Sequence, residues 1–221
     1  MDTEMLQEIA RQLRQPEGEL GKKVGETMND GNRFMNLEAI KTLDLQEGDK
    51  VLEVGMGNGQ FVSEIVHAAP DIRYTGCDFS VTMIEEATDR NKALIEAGSA
   101  LFIKTEASRL PFDDENFDKA ITVNTVYFWE EPERELAEIR RVLKQEGKLV
   151  MGIRPEWCMK ELPFTSWGFR MYSKEAIIEL LTTNGFEVLQ AVEHTESPQT
   201  MGEFQMVMGC IILETVKRGS V

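Results

Sequence analysis

Apolar residues recur at helical spacing in two stretches near the N-terminus. They predict amphipathic helices over residues 3–14 and about 33–43. The segment between them, residues 16–32, is polar and rich in glycine, which predicts a loop or a mobile lid. We therefore expect residues 1–44 to form a helical cap or lid segment that precedes a larger domain.

Beyond this segment, short apolar runs alternate with amphipathic segments. The runs predict strands at residues 51–54, 72–77, 100–103, 119–123 and 148–153. The segments between them predict helices at residues 61–66, in one long stretch from residue 83 to Gly98, and at 136–143. Such alternation is typical of a doubly wound α/β fold, in which helices cover both faces of a parallel sheet.

The pattern changes near the C-terminus. After a predicted helix around residues 177–181, two apolar runs at 186–192 and 204–213 follow each other without a helix between them. We expect these two strands to pair as a hairpin. The sequence therefore predicts one α/β domain over residues 45–221, with a seven-stranded, mostly parallel sheet whose last strand is antiparallel.

A glycine-rich loop follows the first predicted strand. Gly55, Gly57 and Gly59 alternate there, and Asp78 ends the second strand. Glycine lets the backbone turn sharply and lie close against a ligand, so this pairing indicates a nucleoside-cofactor site. Nicotinamide and flavin folds need a further glycine at the position of Gln60. A ligand without pyrophosphate, such as S-adenosylmethionine, therefore suits the loop better; the alternative is a plain tight turn.

Composition narrows the choice of partner and compartment. Lys and Arg number 24 against 39 Asp and Glu, and the net charge of −15 argues against nucleic acid as a partner. Three cysteines without Cys-x-x-Cys spacing and only two histidines argue against a disulfide framework or a metal centre. No apolar run approaches the ~20 residues that cross a bilayer, and the acidic N-terminus is unlike a secretory signal. We expect a cytoplasmic protein without stable membrane insertion.

Four segments carry a family resemblance, in this order: residues 51–59, 76–80, 110–118 and 138–143. With them the chain resembles the class I S-adenosylmethionine-dependent methyltransferases, and within these the group that includes the ubiquinone and menaquinone biosynthesis enzymes. The resemblance covers about residues 45–215 and implies a Rossmann-like fold. Two positions depart from the family pattern. Residues 145–147 read Gln-Glu-Gly in place of Pro-Gly-Gly, and Glu106 stands where Asp is usual.

The resemblance, together with side-chain chemistry, gives eleven candidate cofactor-binding residues: Glu53, Gly55, Met56, Gly57, Asp78, Phe79, Met83, Glu106, Ala107, Ser108 and Asn124. A carboxylate at Asp78 can accept both ribose hydroxyls of the cofactor. The resemblance implies that Glu106 takes the adenine amino group and that the Ala107 N–H meets a ring nitrogen. It also implies that Glu53 holds the loop and the amino group of the methyl donor.

Each of these assignments has a structural alternative. Asp78 could cap the helix that follows it, as Ser80 could. Phe79 and Met83 could sandwich adenine or be simple core residues, and Glu106 could be a solvated loop charge.

Aromatic residues predict the acceptor side of the site. Asn124 ends the fourth predicted strand and is followed by Tyr127, Phe128 and Trp129, whose ring faces attract a sulfonium by cation–π interaction or pack in the core. The connection 154–172 carries further rings, which suggests either a substrate cover or packing over the sheet edge: Trp157, Phe164, Trp167, Phe169 and Tyr172. Tyr127 is the candidate catalytic residue on the substrate side. Arg33 and Arg154 could bind an acidic group, although surface positions are the favoured interpretation, and His194 is interpreted as structural.

These observations predict an S-adenosylmethionine-dependent methyltransferase that acts on a small-molecule acceptor and releases S-adenosylhomocysteine. The donor is already activated, so the protein mainly has to align the acceptor for in-line transfer and exclude water. A nicotinamide oxidoreductase is one rival, against which Gln60 and the 110–118 segment count. A non-catalytic cofactor-binding or interaction protein on the same fold is the other. The acceptor, the need for a general base and the oligomeric state stay open.

Overall fold

A computed structural model describes residues 2–196, 199–201 and 204–219 of the chain. Its helices are α1 Thr3–Arg14, α2 Gly18–Gly31, α3 Arg33–Leu43, α4 Val62–Val66, α5 Val81–Arg90, α6 Lys92–Glu96, α7 Pro132–Val142, α8 Glu156–Met159 and α9 Lys174–Thr183. Its strands are β1 Lys50–Val54, β2 Arg73–Asp78, β3 Ala100–Lys104, β4 Phe117–Val123, β5 Leu143–Ile153, β6 Phe186–Thr195, β7 Gln199–Met201, β8 Phe204–Met206 and β9 Gly209–Lys217. A short 3₁₀ turn spans Val126–Phe128.

Seven strands form one sheet in the order β3-β2-β1-β4-β5-β9-β6. Strands β1 to β5 pair in parallel, whereas β9 runs antiparallel to both of its neighbours, β5 and β6. The predicted doubly wound, mostly parallel sheet with an antiparallel last strand is therefore confirmed, as is the antiparallel pairing of the last two long strands.

The sheet is covered on both faces, which explains why its central strands read as continuous apolar runs. Residues 51–54 of β1 are all buried. Because successive side chains point to opposite faces, Leu52 joins one core cluster with α7 residues such as Leu136, while Val51 joins the other with Ile65 of α4 and Ala39 of α3.

The segment 16–32 contradicts its prediction as a loop, because α2 occupies most of it. Its glycines serve close packing. A Cβ on Gly21 would lie 2.6 Å from the backbone carbon of Pro16, and one on Gly25 would lie 3.4 Å from Met83 Cε. Glycine here lets α2 lie against α5 and the preceding turn, so the same composition that predicted a chain break permits a packed helix. The predicted division of the chain at residue 44 stays a prediction.

The predicted long helix from residue 83 is two helices, α5 and α6. They meet at Asn91, which is buried and donates from Nδ2 to the carbonyl oxygens of Gly59 and Ala87, each at 3.0 Å. This side chain ties the glycine-rich loop to α5, and the tie is a tertiary contact that helical spacing does not reveal.

The predicted strand 204–213 is also wrong. Residues 204–206 form β8, which pairs with β7 in a separate two-stranded sheet, and the main-sheet strand β9 starts at Gly209. A Cβ on Gly209 would lie 2.4 Å from Trp157 Cζ2, so this glycine is needed where β9 passes the Trp157 ring.

Arg141 connects two of the four segments that carry the family resemblance, residues 110–118 and 138–143. Its guanidinium donates to the carbonyl oxygens of Leu110 at 2.9 Å and Phe112 at 2.7 Å, and it pairs with the carboxylates of Asp114 and Glu138. Glu138 also accepts the Leu110 N–H at 2.9 Å. These residues hold the 110–118 loop against α7, so this part of the family pattern has a structural role.

Within the described ranges, none of the helices combines the length and apolar character needed to cross a membrane. In the same ranges, no group of three or more His, Cys, Asp or Glu side chains is placed to hold a metal ion. Cys77, Cys158 and Cys210 are free and buried.

Candidate functional site

A cavity of about 1220 Å³ opens at the carboxyl ends of β1, β2, β3 and β4. Ligands of open α/β sheets bind in this place, where the strand order reverses between β1 and β4. All eleven predicted cofactor-binding residues line the cavity, and so does Tyr127. Residues that are up to 74 positions apart in sequence thus meet at one surface.

The glycine-rich loop forms the floor of the cavity. Gly55, Gly57 and Gly59 all have positive φ, at 73°, 57° and 67°. A Cβ on Gly55 would lie 2.2 Å from Thr125 Cγ2, and one on Gly59 would lie 2.8 Å from Asn91 Nδ2, whereas one on Gly57 would meet nothing within 4 Å. Two of the glycines therefore allow packing, and Gly57 opens towards the cavity.

Asp78 at the end of β2 faces the loop. Its Oδ2 accepts the N–H of Gly57 at 3.2 Å and its Oδ1 accepts the N–H of Ser80 at 2.9 Å. Burial raises the pKa of Asp78 to about 6, against these backbone hydrogen bonds, which lower it. The cap of α5 is Ser80, whose Oγ accepts the Met83 N–H. Asp78 is thus free of the capping role and keeps lone pairs for a ligand.

Glu53 lies beneath the loop at the end of β1. Its Oε2 accepts the hydroxyl of the buried Tyr74 at 2.6 Å. Burial raises the pKa of Glu53 to about 7; the Tyr74 hydrogen bond lowers it and the charge of Asp78 adds to the rise. Two neighbouring carboxyl groups that are both costly to ionise therefore border the cavity.

The loop after β3 supplies a second wall. Glu106 is exposed, Ala107 and Ser108 are half-buried, and all three line the cavity. Phe79 is half-buried and Met83 is buried against α2. All of the predicted adenine-contacting residues thus line the same cavity.

Tyr127 is held by its neighbours. Its hydroxyl donates to Asn124 Oδ1 at 2.9 Å and accepts the backbone N–H of Arg154. Asn124 is one of the non-glycine residues with positive φ, at 57°. Burial raises the pKa of the Tyr127 hydroxyl. These contacts therefore indicate that Tyr127 stabilises the end of β4, where Asn124 has its positive φ.

Arg154 corrects the expectation of a surface residue, because it is only 3% exposed. Its guanidinium pairs with Glu196 and donates to the carbonyl oxygens of Gly31 at 2.7 Å and Gly209 at 3.0 Å. It joins the α2–α3 junction to the start of β9 at the edge of the cavity. Arg33 is exposed, as expected.

The connection 154–172 contributes only part of its aromatic residues. Phe164 and Phe169 line the cavity with Phe128, and the Phe128 and Phe169 rings meet edge to face at 4.7 Å. Trp157 is 46% exposed and donates to Glu193, and Trp167 does not line the cavity. The rings of this connection that reach the cavity are therefore phenylalanines and not tryptophans.

The candidate site residues taken from the sequence did not include the cavity-lining residues of α1 and α2, although a helical cap over residues 1–44 was expected. Those that line the cavity lie within the ranges 11–16 and 24–32. The two helices are fastened over it by the hydrogen bond from Ser80 Oγ to Pro16 O at 2.5 Å and by the Arg14–Glu130 ion pair at 2.5 Å. Gly21 and Gly25 are the sequence signal for this packing.

Comparison with known proteins finds similarity to methyltransferases. A family model described as a methyltransferase domain matches residues 52–151. Over these residues the chain is similar to S-adenosylmethionine-dependent methyltransferases. A methyltransferase structure from Thermotoga maritima, described as a possible histamine N-methyltransferase, superposes with a TM-score of 0.66 at 25% identity, covering 96% of this chain and 100% of that one.

Two curated relatives show how far the methyltransferase likeness extends. The chain is 28% identical over 176 residues to an O-methyltransferase of Pyrenophora dematioidea, over 76% of this chain and 65% of the relative. It is 30% identical over 147 residues to the ubiquinone/menaquinone biosynthesis C-methyltransferase UbiE of Paracoccus denitrificans, over 66% of this chain and 57% of the relative. The chain thus covers less than two thirds of the length of either curated relative.

The methyltransferase domain matched over residues 52–151 implies S-adenosylmethionine as the cofactor, and two observations fit that molecule. The space above Gly57 admits a ligand against the backbone. The Nδ2 of Asn58, which lines the cavity and is buried, has no hydrogen-bond partner within the described residues. A buried amide without a partner is rare in native proteins, so a polar ligand group suits this position.

Proposed function

We propose that this protein is an S-adenosylmethionine-dependent methyltransferase that transfers a methyl group to a small-molecule acceptor by in-line displacement. The observation that carries the proposal is the meeting of all eleven predicted cofactor-binding residues in one cavity with an aromatic wall beside them. Its volume of about 1220 Å³ exceeds the ~300–1,000 Å³ of sites for a single small ligand. Donor and acceptor therefore have room side by side.

In this proposal the methyl donor binds to the polar residues of the cavity. Asp78 accepts the ribose hydroxyls, Phe79 and Met83 flank the adenine, and the Glu106–Ser108 loop takes its polar edge. Gly57 lets the chain approach the ligand closely. When bound, S-adenosylmethionine supplies an electrophilic methyl group on a sulfonium.

The methyl acceptor binds beside the aromatic residues of the cavity. Phe128, Phe164 and Phe169 present ring faces and edges that exclude water from the transfer and attract a cation. Tyr127 acts as a positioning residue, because its hydroxyl holds Asn124. Asn124 in turn fixes the end of β4 beside the methyl group.

Two observations favour a small molecule over a macromolecule as acceptor. Helices α1 and α2 line the cavity and are held there by the Ser80–Pro16 hydrogen bond and the Arg14–Glu130 ion pair, so an acceptor has to fit beside them. The net charge of −15 opposes nucleic acid. The named O- and C-methyltransferase relatives are in keeping with this choice.

Calorimetric titration with S-adenosylmethionine and S-adenosylhomocysteine tests the donor half. We expect micromolar binding in the wild type, and at least tenfold weaker binding, about 1.4 kcal/mol, in Asp78→Asn. Asp89→Asn is the matched control, because Asp89 is exposed and lies outside the cavity. Equal affinity in the two variants would remove Asp78 from the site.

Release of S-adenosylhomocysteine in the presence of candidate acceptors tests the transfer half. Tight cofactor binding with no turnover of phenols, amines, thiols or quinols would favour a non-catalytic cofactor-binding protein instead.

A further inference from the structure

A buried carboxyl group lines the cavity and has no part in the donor site. Glu135 on the first turns of α7 is 6% exposed, and its Oε2 has no hydrogen-bond partner within the described residues. Its neighbour Glu133 is exposed and lies outside the cavity. Of the two glutamates Glu133 and Glu135, on the same turn of α7, only Glu135 therefore lies on the cavity side.

The burial of Glu135 lowers the stability of the fold. A carboxyl oxygen removed from water without a hydrogen-bond partner, as Oε2 is here, destabilises the folded state. Burial raises the pKa of Glu135, and the charge of Glu131 adds to the rise; hydrogen bonds from its own backbone N–H and from those of Glu131 and Glu130 lower it. An apolar residue would fill the same space at less cost, which indicates that a group in the cavity completes its hydrogen bonding.

The surroundings of Glu135 indicate the shape of that group. The 3₁₀ turn before α7 carries Phe128, which meets Phe169 at 4.7 Å, and Phe164 lies 5.8 Å from Phe169. All of these residues line the same cavity as Glu135. The cavity thus combines apolar rings with the carboxyl groups of Glu130, Glu131 and Glu135, of which only Glu135 is buried and has an oxygen without a hydrogen-bond partner within the described residues.

Resting on the proposed function, we propose that Glu135 is the acceptor-side catalytic residue and that the acceptor is an aromatic hydroxyl or amino compound. The Glu135 carboxylate accepts the O–H or N–H of the acceptor in a hydrogen bond. In the transfer, the acceptor oxygen or nitrogen forms the bond to the methyl carbon, and the bond from that carbon to sulfur breaks with its electron pair staying on sulfur. The acceptor proton moves to Glu135, which then returns it to solvent.

The test compares probes that differ in one group, with the full chain saturated with S-adenosylhomocysteine. The probes are phenol, aniline and toluene together with their 2-substituted naphthalene counterparts, and dissociation constants are measured by ligand-observed NMR. We expect the wild type and Glu133→Gln to bind hydroxyl or amino probes of at least one series at least tenfold more tightly than the methyl probe. Glu135→Leu should abolish this preference, because a site built to pair a polar group rejects the analogue that lacks it.

Glu135→Gln separates binding from proton transfer. The amide oxygen still accepts a hydrogen bond, so the binding preference should persist within about threefold. Turnover of the preferred probe with S-adenosylmethionine should fall about a hundredfold or more, the usual contribution of a general base. The affinity for S-adenosylhomocysteine should be unchanged in every variant.

Several outcomes would overturn the inference. A wild type without preference for hydroxyl or amino probes, or one that methylates none of them, would contradict the substrate class. Unchanged preference in Glu135→Leu with a lowered Tm would make Glu135 a cap for α7. Absence of S-adenosylhomocysteine binding in the folded wild type would instead refute the proposed function, on which this inference rests.

Discussion

Gly55 and Gly57, in the loop after β1, allow effects on packing to be measured separately from effects on ligand binding. Alanine at Gly55 or at Gly57 meets the same kind of backbone strain, because both have positive φ, at 73° and 57°. Only at Gly55 does the new Cβ collide with the protein, 2.2 Å from Thr125 Cγ2. At Gly57 it projects into open space on the cavity side.

The expected magnitudes follow from these two terms. Left-handed backbone at an L-residue costs about 1–2 kcal/mol, and overpacking adds about 1–3 kcal/mol. Gly57→Ala should therefore lose about 1–2 kcal/mol of unfolding free energy and Gly55→Ala about 2–5 kcal/mol. A chain of this size loses about 2–4 °C of Tm per kcal/mol, so Gly55→Ala should lose more Tm than Gly57→Ala.

Circular dichroism melting and calorimetric titration with S-adenosylhomocysteine measure the two effects. Gly57→Ala should lose less Tm than Gly55→Ala, about 2–8 °C, yet bind at least tenfold more weakly, about 1.4 kcal/mol, because its methyl group occupies ligand space. Thr125→Ser, which removes Cγ2, should restore part of the stability of Gly55→Ala and none of the affinity of Gly57→Ala. Equal Tm losses, or wild-type affinity in Gly57→Ala, would refute the division of roles.

Three further predictions concern other parts of the site and scaffold. The affinity for S-adenosylhomocysteine should rise between pH 5 and 8, and less so in Asp78→Asn, because burial raises the pKa of Asp78 to about 6 and that of Glu53 to about 7. Since both pKa values exceed those of the same groups in an unfolded chain, the Tm of the unliganded protein should fall as the pH rises from about 4 to 7. The fall should be smaller in Asp78→Asn, and an equal fall in both proteins would contradict this. Phe169→Ala should lower kcat/KM for the acceptor about tenfold through lost apolar contact and leave cofactor affinity within about twofold, whereas Trp167→Ala, outside the cavity, should change neither. Arg141→Ala should cost about 2 kcal/mol or more in urea unfolding, as charge-assisted hydrogen bonds to backbone are lost, with cofactor affinity per folded molecule unchanged.

The fold was largely predictable because its signals are local. Each buried strand of the parallel sheet is an apolar run of its own, and the carboxyl ends of such strands meet at one edge whatever lies between them. That is why Glu53, Asp78 and Asn124, from three strands, come together in the structure as the sequence predicted.

The misplaced elements depend on contacts between distant segments. Whether glycines break a chain or pack a helix depends on the partner, and Gly25 faces Met83 across 58 positions of sequence. Arg154 became a buried residue because Glu196 and the carbonyl oxygens of Gly31 and Gly209 surround it. Nothing in the local pattern around these residues specifies such partners.

The electrostatics of the cavity suit a positively charged ligand. Glu53, Asp78 and Glu135 lie on three different elements, line one cavity, and all have a pKa raised by burial. Ionising them is unfavourable in the unliganded protein, and a cation that enters the cavity removes part of that cost. S-adenosylmethionine carries a sulfonium charge that S-adenosylhomocysteine lacks, so this relief is larger before the transfer than after it. The same buried carboxyl groups that weaken the empty fold at neutral pH thereby favour the donor over the product in the site.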